Sequence, residues 1–414
     1  MKKTDDIAQR LRRQTPQPPL GGALRLIGLI VLMGLIASCS QEQDEPEVEA
    51  AISFGGNLQE GNEVVAGTRA EGDVPLSDLV QTFKVWAFKN MSVTNSDYGD
   101  PQVVMPGYTV NYLGGAHSTN SNSSGWEYVG QQPTNGLEQT IKYWDLNAKA
   151  YRFFAIAGGD GTYEGTESNG THQFTLPMDG STPEKAAATP YYSELWFKAA
   201  TDWGEAHKQP VQLQFHTPFA KVRFMFRFTD PTLTRNSLMD VKFLPSSAIT
   251  LTKENEEVTA VTVTESNNIA VKGTYTISYA ITGTGTVMTG PTYAVDETDG
   301  NNDGVKDGYL TAFTQDYYET EETNDPLAEY WYYVLPYQES PGINPAASYT
   351  LTAVLNGETK TAVVPEQYML WKRGYTYTYI FKVTEVDGIA FDEVQVFVNQ
   401  WKTGGTKNHN VYNW

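Results

Sequence analysis

Residues 221–228 read Lys-Val-Arg-Phe-Met-Phe-Arg-Phe, "KVRFMFRF". In an extended chain successive side chains point to opposite faces, so Val222, Phe224, Phe226 and Phe228 share one side and Lys221, Arg223, Met225 and Arg227 the other. This alternation predicts a β-strand with one face buried. The pattern repeats in both directions. Phe83, Val85 and Ala87 alternate with Lys84, Trp86 and Phe88, and Val211, Leu213 and Phe215 with Gln212 and Gln214. Tyr349, Leu351, Ala353 and Leu355 follow it, as do Tyr375, Tyr377, Tyr379, Phe381 and Val383. The intervening stretches, such as "YLGGAHSTNSNSSGW" (112–126) and "VDETDGNNDGVKDG" (295–308), carry turn chemistry. Only "LSDLVQ" (76–81) and "DPTLTRNSLM" (230–239) read as short helices.

The chain is therefore expected to be all-β, and its 414 residues suffice for two sandwiches in tandem. The boundary is placed between the irregular "KAATDWGEAHK" and "QPVQLQF", giving an N-terminal sandwich at 50–207 and a C-terminal one at 208–414.

The first 38 residues are of another kind. Lys2, Lys3, Arg10, Arg12, Arg13 and Arg25 precede the apolar run "LIGLIVLMGLI" (26–36), which suits the apolar region of a secretory signal and is short for a permanent span. It ends in Ile36-Ala37-Ser38-Cys39, the pattern of a bacterial lipobox. Cys39 is the single cysteine of the chain and is expected to carry lipid. The expectation is a lipoprotein signal peptide at 1–38, an acidic tether "CSQEQDEPEVE" at 39–49 and an outer-membrane lipoprotein displayed at the cell surface.

The formal charge is −20; without residues 1–38, which hold six basic and two acidic side chains, 23 basic face 47 acidic residues, or −24. Such a surface repels nucleic acid. No enzyme motif is present: His117, His172, His207, His216 and His409 show no metal spacing, and neither a nucleophile elbow nor a P-loop occurs. No enzyme and no cofactor are expected, with one metal-like exception. Asp299, Asn301, Asp303 and Asp307 stand at positions one, three, five and nine of a calcium-type loop, with Gly304 at six. Position twelve is Leu310 in place of a bidentate Glu, so a structural calcium and a plain hairpin tip both remain open. Trp126, Trp196, Trp203, Trp331 and Trp371 suggest either a carbohydrate platform or ordinary core residues.

Arg69 stands alone. No other Lys or Arg lies between Arg25 and it, and its surroundings, "VVAGTRAEGD" (64–73), form a polar loop open to a trypsin-like protease. Upstream, "AAISFGGNL" (50–58) reads as a short strand with Ile52 and Phe54 on one face.

The succession of acidic tether, "ISF" strand, "TRA", "FKVWAFK", "IKYWDLNAKAYRFFAIA", "YYSELWFKA", "VQLQFHTPFAKVRFMF" and "WKRGYTYTYIFKV" resembles the fimbrillin family of Bacteroidales, over roughly residues 50–400. The resemblance implies two transthyretin-like β-sandwich domains and a lipidated precursor that polymerises with other pilin subunits into a cell-surface fimbria. It also implies an arginine-specific protease that cuts between Arg69 and Ala70, removing 50–69 as a propeptide strand. Cutting there would take an edge strand from the N-terminal sandwich and leave an apolar groove with unpaired backbone groups. The C-terminal segment 391–414, "FDEVQVFVNQWKTGGTKNHNVYNW", supplies a donor candidate with Val394, Val396 and Val398 on one face and Trp401 beyond. A second reading makes Phe391–Trp401 the last strand of the C-terminal sandwich. Against the whole assembly reading stands a monomeric surface lipoprotein that binds glycan or another ligand.

Overall fold

The alternating stretch forms β12 (Ala220–Phe228), paired in parallel along Lys221–Phe228 with β23 (Tyr375–Thr384). The computed structural model describes residues 50–58, 74–95, 97–116, 119–122, 124–131, 138–159, 161–165, 170–200, 207, 209–233, 237–255, 257–282, 285–314, 331–385 and 388–398. Among these the chain is all-β, with short helical turns only.

β12 and β23 are the centre of a sheet ordered β20 (Tyr332–Val334), β12, β23, β24 (Gly388–Val398). A second sheet, β13 (Leu238–Pro245), β21 (Tyr349–Leu355) and β22 (Glu358–Val364), packs against it. Phe224, Phe226, Phe243, Leu351, Tyr379 and Phe381 fill the space between. The apolar faces read from the sequence thus meet across a sandwich, which is what removes them from water.

The N-terminal half builds a larger sheet. Its order is β2 (Val74–Pro75), β1 (Phe54–Leu58), β11 (Val211–His216), β9 (Tyr191–Ser193), β6 (Ala150–Ala157), β3 (Thr82–Thr94), β4 (Asp97–Tyr112), β5 (Trp126–Glu127), with β10 (Trp196–Ala199) also on β6. Both faces of this sheet are covered. Phe83, Val85 and Ala87 join one core with Phe54 and Phe153, while Trp86 and Phe88 join another with Phe154 and Phe174. The second core lies under the sheet β18 (Gly285–Val295), β17 (Lys272–Thr282), β8 (Gly170–Asp179), β7 (Thr162–Glu164). Strands from both sides of residues 207/208 therefore share one sheet. Two small ribbons complete the strands: β14 (Ile249–Glu254) with β15 (Glu257–Val263), and β16 (Ile269–Ala270) with β19 (Tyr309–Leu310).

Three local outcomes differ from the sequence reading. The polar side of β12 is not solvent-facing at its start: Lys221 and Arg223 are buried, their cations 4.7 and 4.3 Å from the Trp331 ring centroid, and Arg223 Nε donates to Thr378 Oγ1 at 3.0 Å. The aromatic face compensates part of their lost hydration. Every residue of β6 is buried, including Arg152, whose guanidinium lies over Tyr98 and Phe197 at 5.4 and 5.0 Å. Burial lowers its pKa to about 10, so it stays charged at neutral pH. Finally, "LSDLVQ" gives only a 3₁₀ turn at Leu76–Asp78, and Leu238 and Met239 of "DPTLTRNSLM" start β13. An unforeseen α-helix, α1, covers Pro183–Ala187 instead, capped by Thr182 Oγ1 accepting from Lys185 N at 3.3 Å.

Candidate functional site

The segment upstream of the Arg69 loop is part of the core. Ile52 and Phe54 are both fully buried, as their shared face in the sequence implies. Phe54 is ringed by Phe83, Tyr128 and Phe153, with centroids 6.0, 5.9 and 5.8 Å away, all edge-on. The backbone is held as firmly. Ile52 N donates to Lys142 O at 2.8 Å, Trp144 N to Ala50 O at 3.0 Å and Val211 N to Ser53 O at 2.8 Å. Tyr128 Oη donates to Ile52 O at 2.9 Å, and burial raises the pKa of this phenol, so it remains a neutral donor.

β1 runs parallel to β11, with Phe54 opposite Val211, Gly56 opposite Leu213 and Leu58 opposite Phe215. The strand passes close to its neighbours at Gly56. A Cβ there would lie 3.0 Å from Leu76 Cδ2 and 3.3 Å from Phe215 Cε2, so the seat accepts little more than glycine at this point. β2 pairs only with the end of β1, Leu58 opposite Val74 and Asn57 opposite Pro75. The chain thus leaves β1 and returns beside it, and the connection, residues 59–73, carries Arg69 and Ala70. Those two residues lie outside the described residues, as do Cys39, Trp203 and Trp401. The bond 69–70 is nevertheless the covalent link on whose far side β11 and Leu76 stay, while β1 remains on the near side.

At the other end, β24 pairs antiparallel with β23: Tyr375 opposite Val398, Tyr377 opposite Val396, Tyr379 opposite Val394, Phe381 opposite Phe391. Val394 and Val396 pack on the C-terminal core. In this chain Val394 and Val396 lie on the last strand of their own sheet and extend its apolar face over the core, the arrangement of the second reading. A register shift opposite Ile380/Phe381 reconciles the odd-numbered Ile389 and Phe391 with the even-numbered Val394 and Val396 on one face. Arg227 holds Asp392 and Glu393 beside that bulge.

The Asp299–Asp307 loop turns its oxygens on its own backbone. Asp299 Oδ1 accepts from Asp303 N and Oδ2 from Gly304 N, both at 3.2 Å, while Asp303 Oδ1 accepts from Val305 N at 2.7 Å. Asn301 Nδ2 donates to Asp303 Oδ2 at 2.9 Å, and Asp307 Oδ2 accepts from Thr298 Oγ1 at 3.2 Å. Among the described residues no three His, Cys, Asp or Glu side chains gather where they could hold a metal ion, and the loop's side-chain oxygens accept from their own backbone as arranged. Its neighbour Asp296 is held down to about 2 by the Lys272 ammonium, 2.7 Å away, and by Thr298.

Trp126, Trp331 and Trp371 are buried, and Trp196 packs edge-on to Phe153 at 5.3 Å.

No family model matches the chain, and no curated protein matches it. Among solved structures it is similar to a candidate cell adhesion protein from Bacteroides uniformis, at 14% identity over 86% of this chain and 100% of that one, TM-score 0.35. It is similar to a fimbrial assembly protein from Parabacteroides distasonis, at 11% identity over 84% and 95%, TM-score 0.31. Candidate polysaccharide binding proteins from Bacteroides thetaiotaomicron share 16% identity over 85% and 97%, TM-score 0.30.

Proposed function

We propose that this chain is a structural subunit of a cell-surface fimbria, made as a lipoprotein precursor attached through Cys39 and matured by an arginine-specific protease that cuts between Arg69 and Ala70. The observation that carries the reading is the placement of Ile52 and Phe54: both are fully buried, and their segment is joined covalently to the rest of the fold only through the loop that holds a solitary arginine. Once that loop is cut, β1 can leave and β11 becomes an open edge. The vacated seat is lined by Phe83, Tyr128, Phe153 and Phe215. A second copy of the chain, or another pilin subunit, refills it by strand addition, since a long apolar edge does not persist in water.

The donor is the segment beyond β24. Val394 and Val396 are already committed to their own core, whereas residues 399–414 hold Trp401, then Gly404 and Gly405. A glycine pair is what the seat asks for at Gly55 and Gly56, where a Cβ would press on Gln212 or on Leu76 and Phe215. Surface-expressed wild type treated with arginine-specific protease should begin at Ala70 and form heat-resistant ladders on denaturing gels. Arg69→Ala should stay an uncut monomer. Ladders of equal strength from that variant would overturn the reading and favour a monomeric ligand-binding lipoprotein.

A further inference from the structure

A space of about 440 Å³ opens between the two N-terminal sheets, where β3 begins and β6 ends. Trp86 and Ile156 line it from one sheet, Phe174 and Leu176 from the other, and Gly107 and Tyr163 close its sides. The walls are well fixed. The Trp86 ring lies 4.8 Å from Phe174 and 5.6 Å from Tyr163 between centroids. Gly107 takes φ +81°, and a Cβ there would sit 3.1 Å from the indole, so the backbone closes directly on the ring. Tyr163 comes from the three-residue edge strand β7 and is latched by its hydroxyl to His172 Nδ1 at 2.6 Å.

One cation borders this apolar slot. Lys84 shares the strand face of Trp86 and has no carboxylate partner among the described residues, in a chain with 49 acidic and 29 basic side chains. The other polar groups nearby are engaged: Thr82 Oγ1 donates to Asn111 Oδ1 at 2.8 Å, and Tyr163 holds His172. A sugar would bring several hydroxyls to walls that offer them few partners, and burying those unpaired is costly. A flat apolar body with a single negative charge matches both the walls and the edge. The volume is within the ~300–1,000 Å³ usual for small-molecule sites.

We propose that this cleft binds a small aromatic carboxylate, its ring between Trp86, Phe174 and Leu176 and its carboxylate on the Lys84 ammonium. The site is distinct from the β1 seat and does not depend on strand exchange. The test titrates the uncut full chain with indole-3-propionate and with its neutral amide, followed by calorimetry and by Trp86 indole NMR shifts. The acid should bind about fivefold more tightly than the amide at low salt, as a single exposed ion pair allows, and the gap should close in high salt. Lys84→Gln should remove the gap and leave amide binding unchanged, while Lys198→Gln on β10 should alter neither. Leu176→Trp, which fills the slot, should abolish both; Lys84→Gln keeps the test valid if that variant does not fold. Equal affinities for acid and amide, a Lys84→Gln variant that behaves as wild type, or shifts that spare Trp86 would each overturn the proposal.

Discussion

β1 and β24 stand near the two ends of the chain, and each lies at a sheet margin, yet they are held differently. β1 is parallel to β11, is covered by β2 only at Asn57 and Leu58, and with Ile52 just before it sends Phe54 into a fully buried core. β24 is antiparallel to β23, is the last strand of its sheet, and covers its core with half-buried Val394 and Val396 while Asp392 and Glu393 bind Arg227 at the surface. A strand that completes a core from inside leaves a deep, specific seat when it departs. A strand that lies on a core from outside leaves a shallow one. Under the proposed function, this difference makes β1 the strand whose removal would create a receptor.

The largest expected effect contrasts the two directly. Phe54→Ala in the uncut precursor should lower the free energy of unfolding by about 3–5 kcal/mol, the range for deleting a buried aromatic side chain. Denaturant unfolding of the purified precursor measures this, and a loss below about 1 kcal/mol would place Phe54 in a site that collapses freely. Acid sharpens the comparison next through His172 on β8, in the N-terminal layers. His172 is fully buried among Phe88, Phe154 and Tyr163, and burial lowers its pKa from 6.5 to about 4. The unfolded chain therefore takes up this proton first as pH falls, and stability is lost between the unfolded and folded pKa values, with nothing lost above the upper one. The full loss amounts to about 3 kcal/mol. His172→Phe should flatten that part of the pH profile relative to wild type; parallel profiles for the two proteins would show that His172 is hydrated in the fold.

Smaller still is Val396→Ala, expected to cost about 1 kcal/mol because the side chain is only half-buried. A cost matching that of Phe54→Ala would erase the distinction between the strands. Calcium in excess should leave the Tm unchanged, since position twelve of the loop is Leu310 in place of a bidentate Glu. A clear rise in Tm would mean that the loop rearranges around the ion.

Much of this architecture was legible in the residues. Period two located β3, β11, β12, β21 and β23, because one-sided burial is written in alternation. It failed where both sides are buried. Lys84 made β3 look half-polar although Trp86 and Phe88 lie under a second sheet, and the Lys221 and Arg223 cations hide against Trp331, a residue over a hundred positions away. The parallel partnership of β1 with β11 joins residues 54–58 to 211–215, and no local signal specifies such a pairing. For the site, the face shared by Ile52 and Phe54 was readable and their depth was not. The assignment of Val394 and Val396 turned on a bulge in β24, which alternation alone cannot distinguish from a new strand. The helix at Pro183 was readable in principle from Thr182-Pro183-Glu184, a cap followed by proline and an acid.

Hydrogen exchange at β11 tests the central claim most directly. The Val211 amide, bonded to Ser53 O in the precursor, and the β11 amides that face β1 should be protected before cleavage, exchange rapidly in the monomer cut after Arg69, and regain protection in the assembled polymer. If these amides stay protected in the cut monomer, β1 has not left its seat, and the seat is not where subunits join.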